Sequence, residues 1–132
     1  MTITEPSHRP SSPWLRWRKR LADAIAGFQA ACQNQESLWV HLFAATLVVM
    51  VATILKLEDW RWCVLILCIA LVIALELMNS AIERLVKTLH PEHDAGIAES
   101  LHMAAAAVLA GAVGSVFVGA IVVLPKFLTW LS

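Results

Sequence analysis

Apolar residues are concentrated in three long runs along this 132-residue chain, and short polar segments separate the runs. At a helical rise of about 1.5 Å per residue, each run is long enough to cross the hydrocarbon core of a bilayer. The pattern predicts membrane-spanning helices over residues 38–55, 62–86 and 101–124. In the second of these, helix-forming residues continue beyond the last purely apolar turn, so the helix is expected to outlast its hydrophobic stretch.

The segment before the first run mixes cations with aromatic and aliphatic residues at helical spacings. It predicts an amphipathic helix over residues 14–33 on the membrane surface, preceded by a flexible tail over residues 1–13. The alternative, that these cations only set the orientation of the chain in the membrane, stays open. The predicted fold class is an all-α membrane protein, an N-terminal amphipathic surface helix followed by three transmembrane helices, in one domain over residues 1–132.

The distribution of Lys and Arg predicts the orientation of the chain. Basic residues are most frequent before the first span, and only Lys56 and Arg61 lie in the first connection. Cations are retained on the cytoplasmic side of membranes, so the N-terminus and the second connection are expected to be cytoplasmic. The start of the sequence lacks the features of a cleaved signal peptide. A net charge of zero gives no basic surplus to neutralise phosphates, so no nucleic-acid partner is expected.

Three polar residues, Glu76, Asn79 and Glu83, interrupt the end of the second span at spacings of three and four. On a helix they share one face within two turns. A carboxylate close to the membrane is costly unless it is paired, hydrated or lining a cavity, so this face is a candidate functional site. Two carboxylates and an amide can supply a general base and oxygen ligands for a divalent cation, which is the set that phosphoryl transfer requires. The alternative is that both glutamates simply reach water at the helix end.

The stretch from Glu76 to Val86, ELMNSAIERLV, resembles the signature of the prokaryotic diacylglycerol kinase family. These are small trimeric membrane lipid kinases that include undecaprenol kinases. The resemblance extends over most of the chain, from a Gly27-bearing turn to a Leu-Pro-Lys-Phe ending. It implies a homotrimer in the bacterial inner membrane that uses ATP and Mg²⁺ to phosphorylate the hydroxyl of diacylglycerol or undecaprenol at the cytoplasmic face.

The resemblance also implies roles for individual residues. Glu76 matches the catalytic base, Glu83 matches a ligand of Mg²⁺ and nucleotide, and Asn79 matches the amide of the nucleotide site. Gln35 stands where the family has a second metal-binding glutamate, with Glu36 beside it.

Further site residues are expected on either side of this signature. Glu92, His93 and Asp94 match the loop that touches nucleotide. Lipid contact is expected at Arg16, in the surface helix, and at Glu76.

The sequence departs from the family pattern in two further places. Lys87 follows the signature where the family has an aspartate. At the start of the third span the family carries Ala-Lys-Asp, whose lysine contacts nucleotide phosphates, and this chain reads Ser100-Leu101-His102. These departures favour an alternative function, a catalytically degenerate relative that acts as a non-catalytic membrane protein.

The histidines suggest a third class of function. His90, His93 and His102 lie close together in sequence near acidic residues, but without the helical i, i+4 register or the cysteine partners of a transition-metal site. A metal-handling protein therefore ranks last. His41, inside the first span, is interpreted as an interhelical hydrogen-bond donor.

Overall fold

The computed structural model describes residues 12–89 and 94–132, and the described residues form an all-helical bundle. The helices are α1 (Pro13–Asn34), α2 (Glu36–Ile54), α3 (Asp59–Leu89) and α4 (Ala95–Leu131). Within these described ranges, α2, α3 and α4 are long and apolar enough to cross a membrane. The predicted fold class, a surface helix ahead of three spanning helices, is confirmed. The predicted tail lies outside the described residues except for Ser12 and Pro13.

The spanning helices are longer than the apolar runs that predict them. Helix α3 continues to Leu89, and α4 passes through Pro125 to Leu131, beyond the predicted end of the third span. A proline removes one backbone hydrogen bond, whereas ending the helix in apolar surroundings would leave several carbonyls unpaired. The helix therefore continues through the proline.

Helix α1 begins with Ser12 as its N-cap, whose hydroxyl accepts from the Leu15 amide, and with Pro13 in its first turn. This is the arrangement that starts helices most favourably. Large apolar side chains recur along α1 at spacings of three and four and all are exposed: Trp14, Trp17, Leu21, Ile25 and Phe28. An exposed apolar stripe between cations is typical of a helix that lies in the membrane interface.

Helices α3 and α4 pack closely because small residues on α4 face α3. A Cβ added at Gly111 would collide with the Leu75 side chain, and the Ser115 hydroxyl donates to the Cys68 carbonyl at 3.5 Å. Most large apolar side chains on the spanning helices are exposed, as expected when lipid is the solvent. The described apolar core gathers at the α2–α3 turn, with Ala52, Leu55, Leu57, Leu65 and Val122.

The α2–α3 turn is a Schellman motif, which satisfies the last carbonyls of a helix. The Lys56 amide donates to the Thr53 carbonyl and the Leu57 amide to the Ala52 carbonyl, each at 3.2 Å. Lys56 has φ 49°, a left-handed conformation that favours glycine. The apolar contact that accompanies this motif is present, because Leu57 and Ala52 are buried in the same cluster. The turn reverses the chain so that α3 packs antiparallel to α2.

An ionic cluster ties this turn to α4. Arg61 pairs with Glu58 and donates to the Val122 carbonyl, and Lys126 Nζ lies 2.7 Å from Glu58 Oε1. The hydrogen bond from Lys126 is the largest of the effects that hold the pKa of Glu58 below its usual value. A lowered carboxyl pKa contributes stability above the usual Glu pKa, and this contribution is lost as the pH falls through the folded-state value. The cluster therefore stabilises the fold at neutral pH and weakens in acid.

We expect Arg61→Met to lower the free energy of unfolding by about 1–3 kcal/mol, because it removes a charge-assisted hydrogen bond while keeping an apolar stem. The side chain of Arg61 is 15% exposed, so water replaces this bond poorly. Unfolding by sodium dodecyl sulfate in mixed micelles, followed by circular dichroism, measures the change. Arg18→Met, at an exposed position of α1, is the matched control. Equal stability of the two variants would contradict a stabilising role for the cluster.

Candidate active site

The carboxylate of Glu76 is buried near the end of the bundle where α2 begins and α3 ends. The residue is 2% exposed. The Ser37 hydroxyl donates to Glu76 Oε1, and His41 Nε2 lies 3.8 Å from Glu76 Oε2. Both partners come from the first two turns of α2. One carboxylate oxygen is thus held by a hydroxyl and the other faces an imidazole without a direct hydrogen bond.

One turn further along α3, Asn79 and Glu83 are joined directly. Asn79 Nδ2 donates to Glu83 Oε1 at 2.8 Å, as the spacing of four residues allows. Asn79 Oδ1 is buried and has no hydrogen-bond partner. Lys87 Nζ lies 3.7 Å from Glu83 Oε2. The helix therefore presents a carboxylate and a nearby unpaired amide oxygen, next to an exposed cation.

The junction between α1 and α2 immediately precedes Ser37, which contacts Glu76. Gln35 breaks the helix with an extended backbone (φ −129°, ψ 108°), and its amide still donates to the Ala31 carbonyl at 3.0 Å. Trp39 Nε1 donates to the Cys32 carbonyl at 2.8 Å across the break. These bonds fix the angle at which α1 leaves the bundle, so that its second half lies along α3.

A groove of about 650 Å³ separates the second half of α1 from the end of α3. Its floor consists mainly of small residues of α1, and its polar wall contains Gln35, Ser80, Arg84 and Lys87. A volume of this size suits a small-molecule ligand. Gln35, a predicted metal ligand, thus shares the groove with Ser80, Arg84 and Lys87 of α3. Glu83 lies on the adjacent face of the same helix.

A second cavity, of about 370 Å³, lies among α2, α3 and α4 and is lined almost entirely by apolar side chains. It extends from His41, beside Glu76, to Val51 on α2, a distance of roughly 15 Å at helical rise. Half of the hydrocarbon core of a bilayer has this thickness. The cavity is therefore long enough for one hydrocarbon chain of one leaflet.

The structure does not bring every predicted site residue to Glu76. Arg16 lies about three turns before Gly27 on α1, and its cavity neighbours all belong to α1. The polar residues Glu76, Asn79 and Glu83 form a ladder along α3. Leu101 and His102 lie near the start of α4, and no described hydrogen bond or ion pair joins them to this α3 ladder.

The predicted nucleotide loop is described only in part. Glu92 and His93 lie outside the described residues. The carboxylate of Asp94 accepts from the amides of Gly96 and Ile97 at 2.8 and 3.1 Å and caps α4. This capping role accounts for Asp94 without a nucleotide.

We tested the site for a fit to Mg²⁺ by its donor atoms. The described residues contain no group of three His, Cys, Asp or Glu side chains that could cage a metal. They do contain the Glu83 carboxylate beside the orphaned Asn79 Oδ1. Mg²⁺ prefers oxygen ligands and usually binds through one or two carboxylates together with substrate phosphates and water. The residues present fit a magnesium ion that is shared with a phosphate ligand.

The sequence did not identify Ser37, Ser80 or Arg84 as site residues. Ser37 is separated from Glu76 by 39 positions, so no spacing rule connects them. Ser80 and Arg84 lie inside the recognised signature, and the signal that could have found them is the i, i+4, i+7 spacing from Ser80 through Arg84 to Lys87. His41 faces α3 as interpreted, but its 3.8 Å distance from Glu76 is too long for a hydrogen bond.

Comparison with known proteins adds independent findings. The family model for prokaryotic diacylglycerol kinase matches residues 22–123. A diacylglycerol kinase of Synechocystis sp. is 34% identical over 114 residues, which cover 80% of this chain and 61% of that protein. An undecaprenol kinase of Bacillus subtilis is 29% identical over 111 residues, which cover 84% of this chain and 90% of that protein. The chain thus spans less than two thirds of the Synechocystis relative and most of the Bacillus relative.

Proposed function

The chain belongs to the prokaryotic diacylglycerol kinase family, and from this membership we propose that it is a lipid kinase. In this proposal ATP donates its γ-phosphoryl group to the hydroxyl of diacylglycerol or undecaprenol, the substrates in the names of its relatives. The reaction takes place at the cytoplasmic face of the bacterial inner membrane. Because basic segments stay on the cytoplasmic side, the basic N-terminal segment orients the end of the bundle that contains Glu76 toward the cytoplasm. A homotrimer is the assembly proposed.

The observation that carries this proposal is the buried Glu76 carboxylate, which Ser37 holds by a hydrogen bond. Its other oxygen lies 3.8 Å from His41, a lining residue of the apolar cavity. Because Ser37 holds Oε1, Oε2 is free to accept a proton from a lipid hydroxyl that approaches along the cavity. As the hydroxyl oxygen bonds to the γ-phosphorus, the bond to the β-phosphate oxygen breaks and ADP leaves. A base in this position is typical of phosphoryl transfer to an alcohol.

Asn79 and Glu83 are the residues proposed to hold Mg²⁺ with the nucleotide phosphates, with Gln35 as a further oxygen donor. Bound there, the ion would neutralise charge on the phosphate oxygens. Asn79 holds Glu83 in place by donating from Nδ2 to Oε1, and its own Oδ1 has no hydrogen-bond partner. Glu92 and His93 are proposed to contact the nucleotide, and Arg16 to contact lipid headgroups at the interface.

A direct transfer assay tests the function. Purified protein in mixed micelles is incubated with γ-labelled ATP, Mg²⁺ and either diacylglycerol or undecaprenol, and labelled lipid is separated by chromatography. We expect label in at least one of the two lipids, dependent on Mg²⁺. Folded protein that labels neither lipid would reject the kinase proposal.

The alternative function, a non-catalytic relative, is favoured by Leu101 and His102, which supply no cation near the α3 ladder in the described residues. The two proposals differ in nucleotide binding. A relative that has lost catalysis together with its nucleotide site would not bind Mg²⁺–AMP-PNP, a non-hydrolysable ATP analogue, whereas a kinase must. Binding measured in detergent separates them without any lipid substrate.

A further inference from the structure

The groove between α1 and α3 is electropositive. Arg84 and Lys87 are its charged lining residues, and no Asp or Glu lines it in the part of the chain that the structure describes. Arg84 is exposed, and among the described contacts its side chain has no ion-pair partner. Lys87 has an acidic neighbour in Glu83, 3.7 Å away, but Glu83 does not line the groove. The two cations that do line it attract an anion. The charges that line the groove therefore favour a negatively charged ligand.

A buried hydroxyl on the groove wall lacks a partner. Ser80 is 6% exposed, lines the groove, and its Oγ makes no hydrogen bond in the structure. Buried polar groups are almost always paired, because an unpaired one costs about 1–3 kcal/mol. A serine in mid-helix can bond the carbonyl four residues before it, and this one does not. Its free hydroxyl indicates a hydrogen-bonding ligand in the groove.

Ser80, Arg84 and Lys87 form one stripe along α3, at spacings of four and three residues. Lys87 also lies 3.7 Å from Glu83, so the stripe adjoins the proposed magnesium ligands. The guanidinium of Arg84 can bind a phosphate through two parallel N–H donors, and Lys87 can act as a point charge. The stripe thus combines the donors that phosphate recognition uses.

We propose that the α1–α3 groove binds a phosphate group, with Arg84 and Lys87 as its cationic ligands and the Ser80 hydroxyl as a neutral donor. The assignment of that phosphate to the nucleotide rests on the proposed function. If the phosphate belongs to the nucleotide, Arg84 and Lys87 on α3 supply the positive charge that Leu101 on α4 cannot supply. The same chemistry would also accept the phosphate of a phosphorylated lipid, the product of the reaction.

Binding titrations on the full chain in detergent test the proposal and separate the two sources. One arm titrates Mg²⁺–AMP-PNP, and the other titrates dioctanoyl phosphatidate without nucleotide. We expect Arg84→Gln and Lys87→Gln each to raise the Kd roughly tenfold or more in at least one arm, and Ser80→Ala to raise it a few-fold. Arg18→Gln and Lys19→Gln remove the same charges from exposed positions of α1 outside the groove and are the matched controls.

Each outcome decides the proposal. Weaker binding in the AMP-PNP arm assigns the groove to the nucleotide, and weaker binding in the phosphatidate arm alone assigns it to the lipid phosphate. The proposal would be overturned if the groove variants lost no more affinity than the two control variants. It would also be overturned if the unmodified protein bound neither ligand. Since no turnover is needed, binding in the groove together with absent phosphoryl transfer would reject the kinase function and leave the phosphate site standing.

Discussion

Glu76→Gln is expected to lower kcat for lipid phosphorylation by about 100- to 10,000-fold, the usual contribution of a positioned general base. The amide keeps the size of the side chain and an oxygen that can still accept from Ser37, so the α2–α3 contact is retained. What disappears is the carboxylate oxygen that we propose takes the proton of the lipid hydroxyl. Initial rates at saturating ATP and lipid measure the loss.

Two controls make this result specific. Asp59→Asn converts a carboxylate to an amide at the opposite end of α3 and should leave kcat unchanged. Binding of Mg²⁺–AMP-PNP by Glu76→Gln should also be little changed, because Asn79 and Glu83 remain. Activity close to that of the unmodified protein would show that Glu76 is a buried structural carboxylate and that another group accepts the proton.

The three spans could be predicted from the sequence because the bilayer imposes both their length and their apolar composition. The ladder could be predicted for a similar reason, since the bond from Asn79 to Glu83 follows from a spacing of four residues on one helix. Both features depend on local sequence alone. The exact ends of the helices are harder to predict from the sequence, as the continuation of α4 through Pro125 shows.

Contacts between helices could not be predicted in the same way. Ser37 and Glu76 are 39 positions apart and meet only through the packing of α2 against α3. The extended backbone at Gln35 and the Trp39–Cys32 bond set the angle between α1 and α2, and this angle creates the α1–α3 groove. From sequence, Lys87 is only a departure from the family pattern, whereas in the groove it joins Arg84 in a cationic wall.

Glu76 and Glu83, the two carboxylates of the ladder, are expected to differ in how their loss changes the Mg²⁺ dependence of the rate. Glu76 lies about two turns from Glu83 on α3. Asn79 donates to Glu83 at 2.8 Å. A general base and a metal ligand on one helix face are expected to respond differently when the Mg²⁺ concentration is varied. Loss of the base lowers the rate at every concentration, whereas loss of the ligand moves the concentration at which the rate reaches half of its maximum.

Glu83→Gln is therefore expected to raise the Mg²⁺ concentration for half-maximal rate by roughly 10- to 100-fold and to lower kcat by about 100- to 1,000-fold. The amide can still bond Asn79, but it offers a hard cation less charge, and it leaves Lys87 without its partner. Titration of MgCl₂ at saturating ATP and lipid measures both effects. Glu99→Gln, an exposed glutamate on α4, is the control and should move neither. An unchanged Mg²⁺ requirement in Glu83→Gln would place the metal on other oxygens and leave Glu83 as the carboxylate that anchors Asn79 and Lys87.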